Sequence, residues 1–179
     1  MATKDNAVAL LKADHRKVEE LFESFEKARN EDRKVALVKE ICTELMVHAT
    51  IEEEIFYPAC KGKIEDGELL DEAYVEHDGA KVLIAELLQG SPSDEFYDAK
   101  VKVLSEMIKH HVKEEEMRSE GLFAEARDAG VDLDDLGERL KSRKQQLLAK
   151  FKEAGGLPPP QTRSFTGHKL AQSQPIQMQ

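Results

Sequence analysis

Apolar residues recur along this chain at alternating spacings of three and four, the mark of helices that bury one face. Val8, Leu11, His15, Val18, Phe22 and Phe25 form one stripe, and Val38, Ile41, Leu45, His48, Glu52 and Ile55 a second. Ala73, His77, Ile84 and Leu88 mark a third, and Val101, Leu104, Ile108, His111, Glu115 and Leu122 a fourth, whose row passes through Arg118. Glycines, prolines and capping residues set the ends. They predict helices from about Asp5 to Ala28, from Asp32 to Tyr57 with Pro58 as its stop, and from about Glu65 to Gln89. After the break at Gly90, Ser91 and Pro92, a fourth helix starts from a Ser93 or Asp94 cap and runs through Arg127 until Gly130. Asp132 caps a shorter fifth helix ending near Phe151, whose edge of Leu133, Leu136, Leu140, Leu147 and Phe151 can pack on the bundle or on a second copy. Almost nothing reads as strand. The expected fold is all-α, an up-down-up-down four-helix bundle with a fifth C-terminal helix. Residues 1–153 form one domain in this reading, and residues 154–179, opening on Pro158, Pro159 and Pro160, a disordered tail.

Each stripe is interrupted where another apolar residue belongs. His15 stands in the first, His48 and Glu52 in the second, His77 in the third, and His111 and Glu115 in the fourth. Imidazoles and carboxylates aimed into one core are costly to bury unless a cation lies between them. A pair of metal ions is the simplest such cation. Residues four apart share a helix face, so each His-x-x-x-Glu turn offers an imidazole and a carboxylate one turn apart. A carboxylate has two oxygens and can bridge two cations, whereas a neutral imidazole serves one. Iron or manganese suits this mixed nitrogen and oxygen shell. Structural zinc would use a compact tetrahedral set, commonly with thiolates, and neither Cys42 nor Cys60 lies on a ligand stripe. A ferritin-like Glu-x-x-His arrangement is absent. His110 and Glu114 repeat the spacing, but His110 falls toward the flank of the stripe and His111 nearer its centre.

Composition narrows the picture further. In 179 residues, 36 acidic side chains outnumber 26 Lys and Arg, a net charge of −10 spread through the amphipathic segments, which argues against a nucleic-acid surface. No apolar run is long enough for a membrane span, and Met1 to Leu11 lacks a secretory signal, so cytoplasmic residence is the expectation. Cys42 and Cys60, without a CxxC motif, read as two reduced thiols.

The segments DHRKVEELF around His15, HATIEEEIFYP from His48 to Pro58, EHDGAK around His77 and HHVKEEE from His110 to Glu116 resemble the hemerythrin-like, or HHE cation-binding, family. The resemblance covers about residues 5 to 129. It implies a four-helix bundle around a non-haem di-iron centre with an oxo or hydroxo bridge, manganese being the less favoured metal, and with oxygen, nitric oxide or peroxide as exogenous ligands. His15, His48, Glu52, His77, His111 and Glu115 fall at the family's ligand positions. Where the oxygen-carrying members have a further third-helix histidine, this chain has Lys81, and Glu115 stands where they have aspartate. A missing histidine opens one more coordination position, which favours redox or small-gas chemistry over reversible oxygen carriage. Lys81 has two readings: an ammonium that donates to bound peroxide or acidifies a bound water, or a long stem covering the stripe while its charge snorkels to solvent. Asp14 and Glu76, next to two of the ligands, read as solvated charges. Tyr57 and Tyr74 are phenols of uncertain helical phase. An iron- or gas-responsive sensing module without turnover is the second functional class, and a purely structural helical protein the third.

Overall fold

The structure, a computed structural model, describes residues 6–163. Among these, the elements are α1 (Ala7–Lys27), α2 (Glu31–Ile51), a π-helical turn (Glu52–Phe56), α3 (Tyr57–Cys60), α4 (Glu68–Gln89), α5 (Tyr97–Glu116), α6 (Leu122–Asp128) and α7 (Leu133–Glu153). The long helices begin as their polar residues dictate. Asn6 caps α1 by accepting from the Ala9 amide, Asn30 caps α2 through Arg33, and Asp132 caps α7 through Asp135. Gly130 adopts a φ of 70° before α7, a conformation that L side chains rarely adopt.

Contacts along the helices fix their directions. Lys17 pairs with Glu44 while Lys34 lies over the Phe25 ring, so α1 and α2 run antiparallel. Glu76 meets His111 while Lys100 meets Glu86, so α4 and α5 do too. Glu116 reaches α1 at His15 while Tyr97 packs on Phe25. α1, α2, α4 and α5 thus form a four-helix core.

That core is divided by its own polar residues. Below them lies an apolar cluster built on Leu11, Val47, Ile51, Phe56 and Phe123, and above them another built on Phe22, Ile41, Leu45, Ile84 and Leu104. Burial of each cluster stabilises its end of the bundle at roughly 25 cal/mol per Å² of apolar surface removed from water. The polar layer between them is therefore held from both sides.

Four boundaries differ from the sequence reading. The first is the start of α5 at Tyr97, after Phe96 and not after a Ser93 or Asp94 cap, because the Asp94 side chain turns back to accept from the Ser91 amide. The chain beyond the core holds two helices and not a single fifth one, because the fourth helix ends at Glu116 and α6 starts afresh at Leu122. The reason is tertiary: Leu122 and Phe123 turn back under the polar layer, where Phe123 stacks on His15 at 5.9 Å. Gly121 permits that turn. A Cβ there would stand 2.6 Å from the Met117 amide and 2.7 Å from the Glu115 carbonyl oxygen. The second helix does not stop at Pro58 but passes through the π turn into α3, where Pro58 sits in the first turn and its missing N–H costs nothing. The third helix starts at Glu68, three residues later than expected.

The apolar edge of α7 packs on the bundle: Leu136, Leu140, Leu147 and Phe151 are buried in the lower cluster. After α7 the chain continues along the core, with Leu157 against both clusters and Arg163 bonded to α4. The rest of the expected tail, 164–179, lies outside the described residues. Cys42 and Cys60 are free and buried, and burial pushes both thiols up to about 12.

Candidate metal centre

All six residues singled out on the four stripes converge between the two apolar clusters. Their relative exposures run from 0% at Glu52 to 6% at His48. The four imidazoles point their Nε2 atoms inward, in two pairs. His15 and His48 approach to 3.1 Å, and His77 and His111 to 3.2 Å.

The two carboxylates span the pairs. Glu52 places Oε1 3.2 Å from His48 Nε2 and Oε2 3.3 Å from His77 Nε2. Glu115 places Oε2 3.3 Å from His15 Nε2 and Oε1 3.6 Å from His111 Nε2. The His15 and His48 half thus collects an oxygen from each carboxylate, whereas the His77 and His111 half collects Glu52 Oε2, with Glu115 Oε1 farther off and accepting from Tyr57.

The donor set fits two cations. Ligands in adjacent positions of an octahedron, each about 2.1 Å from the ion, stand about 3.0 Å apart, close to the spacings found here. Glu52 Oε1 and Glu115 Oε2 are fully buried without a hydrogen-bond partner among the described residues. Such orphaned carboxylate oxygens are expensive unless a cation completes them.

Behind each imidazole stands another carboxylate, and the four form a closed ring. Asp14 of α1 faces His48 of α2 at 3.3 Å, and Glu53 of the π turn faces His77 of α4 at 3.0 Å. Glu76 of α4 faces His111 of α5 at 2.7 Å, and Glu116 of α5 faces His15 of α1 at 2.7 Å. Every helix hands a carboxylate to the histidine of the next. The physical reason lies in adjacency: a residue next to a ligand points about 100° around the helix, toward a neighbouring helix and not toward the core. Asp14 and Glu76 precede their ligands, whereas Glu53 and Glu116 follow theirs. Because α1 and α4 run opposite to α2 and α5, preceding on one pair and following on the other turn in the same sense. Asp14 and Glu76 are therefore partners of histidines on other helices, contrary to their reading as solvated charges. With each Nδ1 donating to a carboxylate, the Nε2 lone pair is left for a metal.

In the metal-free chain protons take the place of metal charge. Burial acts to lower the His48 pKa, but Glu52 and Asp14 outweigh it and raise it to about 10. His111 is likewise opposed by burial and raised to about 9 by Glu115 and Glu76. Glu52, despite a burial effect in the other direction, is held well below the usual carboxylate range by His48 and His77.

Tyr57 is the residue that pattern alone did not place. Its hydroxyl donates to Glu115 Oε1 at 2.9 Å, lies 3.2 Å from Glu52 Oε2 and stands 3.3 Å from His77 Nε2. Five residues beyond Glu52 on an α-helix would face about 140° away from it. The π turn, in which the Tyr57 amide donates to the Glu52 carbonyl, takes up the extra residue and swings the phenol onto the same side. Burial, with Glu115 and Glu52 close by, pushes the phenol well above its usual pKa. Tyr74 does not enter the centre but stands edge-on to Tyr57 at 5.2 Å.

Lys81 does not carry its charge to solvent, and its side chain lines the cavity beside the imidazoles. It is 7% exposed, donates to Glu53 at 2.8 Å and lies 3.6 Å from Asp78, so its charge is paired inside the protein and not at the Nε2 atoms. Burial raises the Glu53 pKa, yet His77 and Lys81 together bring it down to about 2. His110, by contrast, is exposed and pairs with Glu114.

A cavity of about 30 Å³ lies beside the imidazoles, lined by Val18, Leu45, Ala80, Ile84 and Ile108 and bordered by Asp14 and Lys81. Its surface is mostly apolar, and its volume suffices for a ligand of two or three heavy atoms.

Residues 6–123 match the hemerythrin HHE cation-binding domain. The chain belongs to that family. Among solved structures this hemerythrin-family chain is similar to a hemerythrin HHE cation-binding domain-containing protein of Mycobacterium kansasii, with a TM-score of 0.69 and 24% identity, over 92% of this chain and 94% of that one. That likeness is one of fold. Among curated proteins it is similar to a DNA nickase of Nostoc sp., 28% identical over 123 residues. The match takes in 69% of this chain and 34% of the relative, so the chain spans about a third of that relative's length. Among the described residues, no helix is long and apolar enough to cross a membrane.

Proposed function

We propose that this chain is a non-haem di-iron protein that binds or reacts with oxygen, nitric oxide or peroxide. His15 and His48 hold one iron, His77 and His111 the other, and Glu52 and Glu115 bridge them. The observation that carries the reading is Glu52, whose oxygens are divided between two histidine pairs, together with Glu115 beside the first pair, Glu52 Oε1 and Glu115 Oε2 being otherwise orphaned. Manganese is the second metal that this donor set suits.

When bound, such a pair supplies reversible electron transfer and open positions for a small ligand. The chain's own part is to hold, orient and exclude. The ring of Asp14, Glu53, Glu76 and Glu116 orients the imidazoles and keeps Nδ1 protonated. Val18, Ile84 and Ile108 restrict the adjacent cavity to a ligand of two or three heavy atoms and keep bulk water away. Tyr57 adds a phenolic oxygen to the His77 half. As a donor to Glu115 that also lies near Glu52, it stands beside the coordination position that the Lys81 departure leaves open. Residues 1–153 act as one domain in this reading, with the segment through Arg163 docked on it, and the protein works in the cytoplasm.

A second reading, an iron- or gas-responsive module, is favoured by two observations. The centre ties together all four core helices, and the matched region is only about a third of the nickase-named relative. Iron per chain, followed by visible spectra of the reduced protein under nitric oxide and under peroxide, separates the readings. About two irons with reversible bands support binding or sensing, and peroxide consumed at turnover supports reaction. A folded sample that takes up no transition metal under anaerobic ferrous reconstitution refutes both.

A further inference from the structure

The four carboxylates behind the histidines are not equally supported. Glu116 is met by Arg16 and Lys12 of α1, and Glu76 by the exposed His110 of α5. Those partners come from the core helices. Of the other two, Asp14 is met from outside the core, and Glu53 both by Lys81 of α4 and from outside the core.

Lys144, on α7, bonds the Asp14 carboxylate and lies 3.8 Å from Glu44. Arg163, beyond α7, reaches the opposite half. Its Nη2 lies 2.6 Å from Glu53 Oε2, and its Nη1 lies 2.7 Å from Asp78 Oδ1. Its backbone amide also donates to Asp78 at 3.0 Å, and its guanidinium lies over the Tyr74 ring at 4.3 Å. Tyr74 in turn stands against Tyr57. Both cations lie beyond residue 123, where the match to the shared domain ends.

We propose that the C-terminal extension tunes the metal centre through two positioning residues, Lys144 acting on His48 through Asp14, and Arg163 acting on His77 through Glu53. One histidine in each half is thereby addressed from beyond residues 6–123. The inference rests on the di-iron reading above.

The direction follows from electrostatics. A cation on the outer carboxylate draws its charge away from the Nδ1–H bond, so the imidazole donates less electron density to the metal. The same positive charge directly disfavours the more highly charged oxidised state. Both effects make the reduced centre easier to keep. Lys144 is the more deeply set of the two and Arg163 is half-exposed, so solvent screens Arg163 more and Lys144 has the larger effect.

The test uses the full chain loaded with iron, with Lys144→Gln, Arg163→Gln and Arg143→Gln. Arg143 is the control. It bonds Glu54 from the same helix as Lys144, but Glu54 faces no histidine. At a fixed applied potential, Lys144→Gln and Arg163→Gln are expected to lower the ratio of reduced to oxidised centre, on the order of tenfold for Lys144→Gln and less for Arg163→Gln. Arg143→Gln leaves it unchanged, and Lys144→Arg restores the wild-type ratio, which a merely structural loss would not allow. Ring nitrogen resonances of His48 in the metal-free protein, shifted in Lys144→Gln and not in Arg143→Gln, give a readout independent of iron. If both glutamine variants take up iron and behave like Arg143→Gln, the inference is overturned. If the wild-type protein itself takes up none, the di-iron reading fails and takes this inference with it, a result visible before any variant is made.

Discussion

Metal uptake by this centre should expel protons, and their number is set by the structure. In the metal-free chain His48 titrates at about 10 and His111 at about 9, so at pH 7 both carry a proton that a metal must displace. Glu52 is already ionised and releases none. About two protons should therefore leave per dinuclear site at pH 7, and each pH unit between 7 and about 9 should raise the metal association constant on the order of a hundredfold. Above about 9 the slope falls as His111 empties, and it vanishes above about 10. The same histidines make the metal-free fold pH-dependent. Their folded values lie above the ordinary 6.5, so the stabilisation is fully present below 6.5 and is lost as pH rises through 9 and 10. Anaerobic calorimetric titration of chelated protein with ferrous ion, in two buffers of different ionisation enthalpy, counts the protons directly. A third proton comes from Tyr57 or from a bound water, and the same count on Tyr57→Phe, which lacks the phenol, tells the two apart. Release of no protons at pH 7, with affinity flat between pH 7 and 9, would refute the claim that protonated histidines stand in for metal charge.

Other substitutions probe individual supports. Tyr57→Phe removes the donor to Glu115 and Glu52, and the metal-free protein should lose about 1–3 kcal/mol in chemical denaturation; unchanged stability would mean that the phenol contributes no net hydrogen bonding. Gly121→Ala drives a Cβ into the backbone that ends α5, and should cost about 1–3 kcal/mol and weaken iron retention through Glu115, as read by thermal melting and iron content; an unaltered melting curve would contradict the close approach. Lys81→Met leaves Glu53 and Asp78 with Arg163 as their remaining strong cation, and should cost about 3 kcal/mol while leaving iron per chain the same; loss of one iron would restore Lys81 to the centre itself.

Much of the core was legible because helical periodicity is a local property. Three- and four-residue spacing placed His15, His48, Glu52, His77, His111 and Glu115 on buried faces, and separated His111 from the exposed His110, without any knowledge of which helix lies beside which. Tyr57 escaped because its face depends on one widened hydrogen bond in the π turn, which leaves no trace in hydrophobic pattern. The end of α5 at Glu116 escaped because Arg118 and Leu122 continue the helical row, and only the docking of Phe123 beneath His15 shows why the chain must turn. Asp14 and Glu76 were misread because their partners lie across a helix interface.

The amino-acid sequence by itself determined the helices, their buried faces, the six metal-capable side chains and the family that they mark. These depend on side-chain chemistry and on the fixed pitch of an α-helix. Tertiary structure alone decided which carboxylate stands behind which histidine, that Lys81 turns to Glu53, and that Lys144 and Arg163 come back from the C-terminal side to the bundle. Those pairings depend on helix direction and on contacts between residues as many as 130 positions apart. No spacing rule along the chain encodes them, because each is set by the packing of one helix on another.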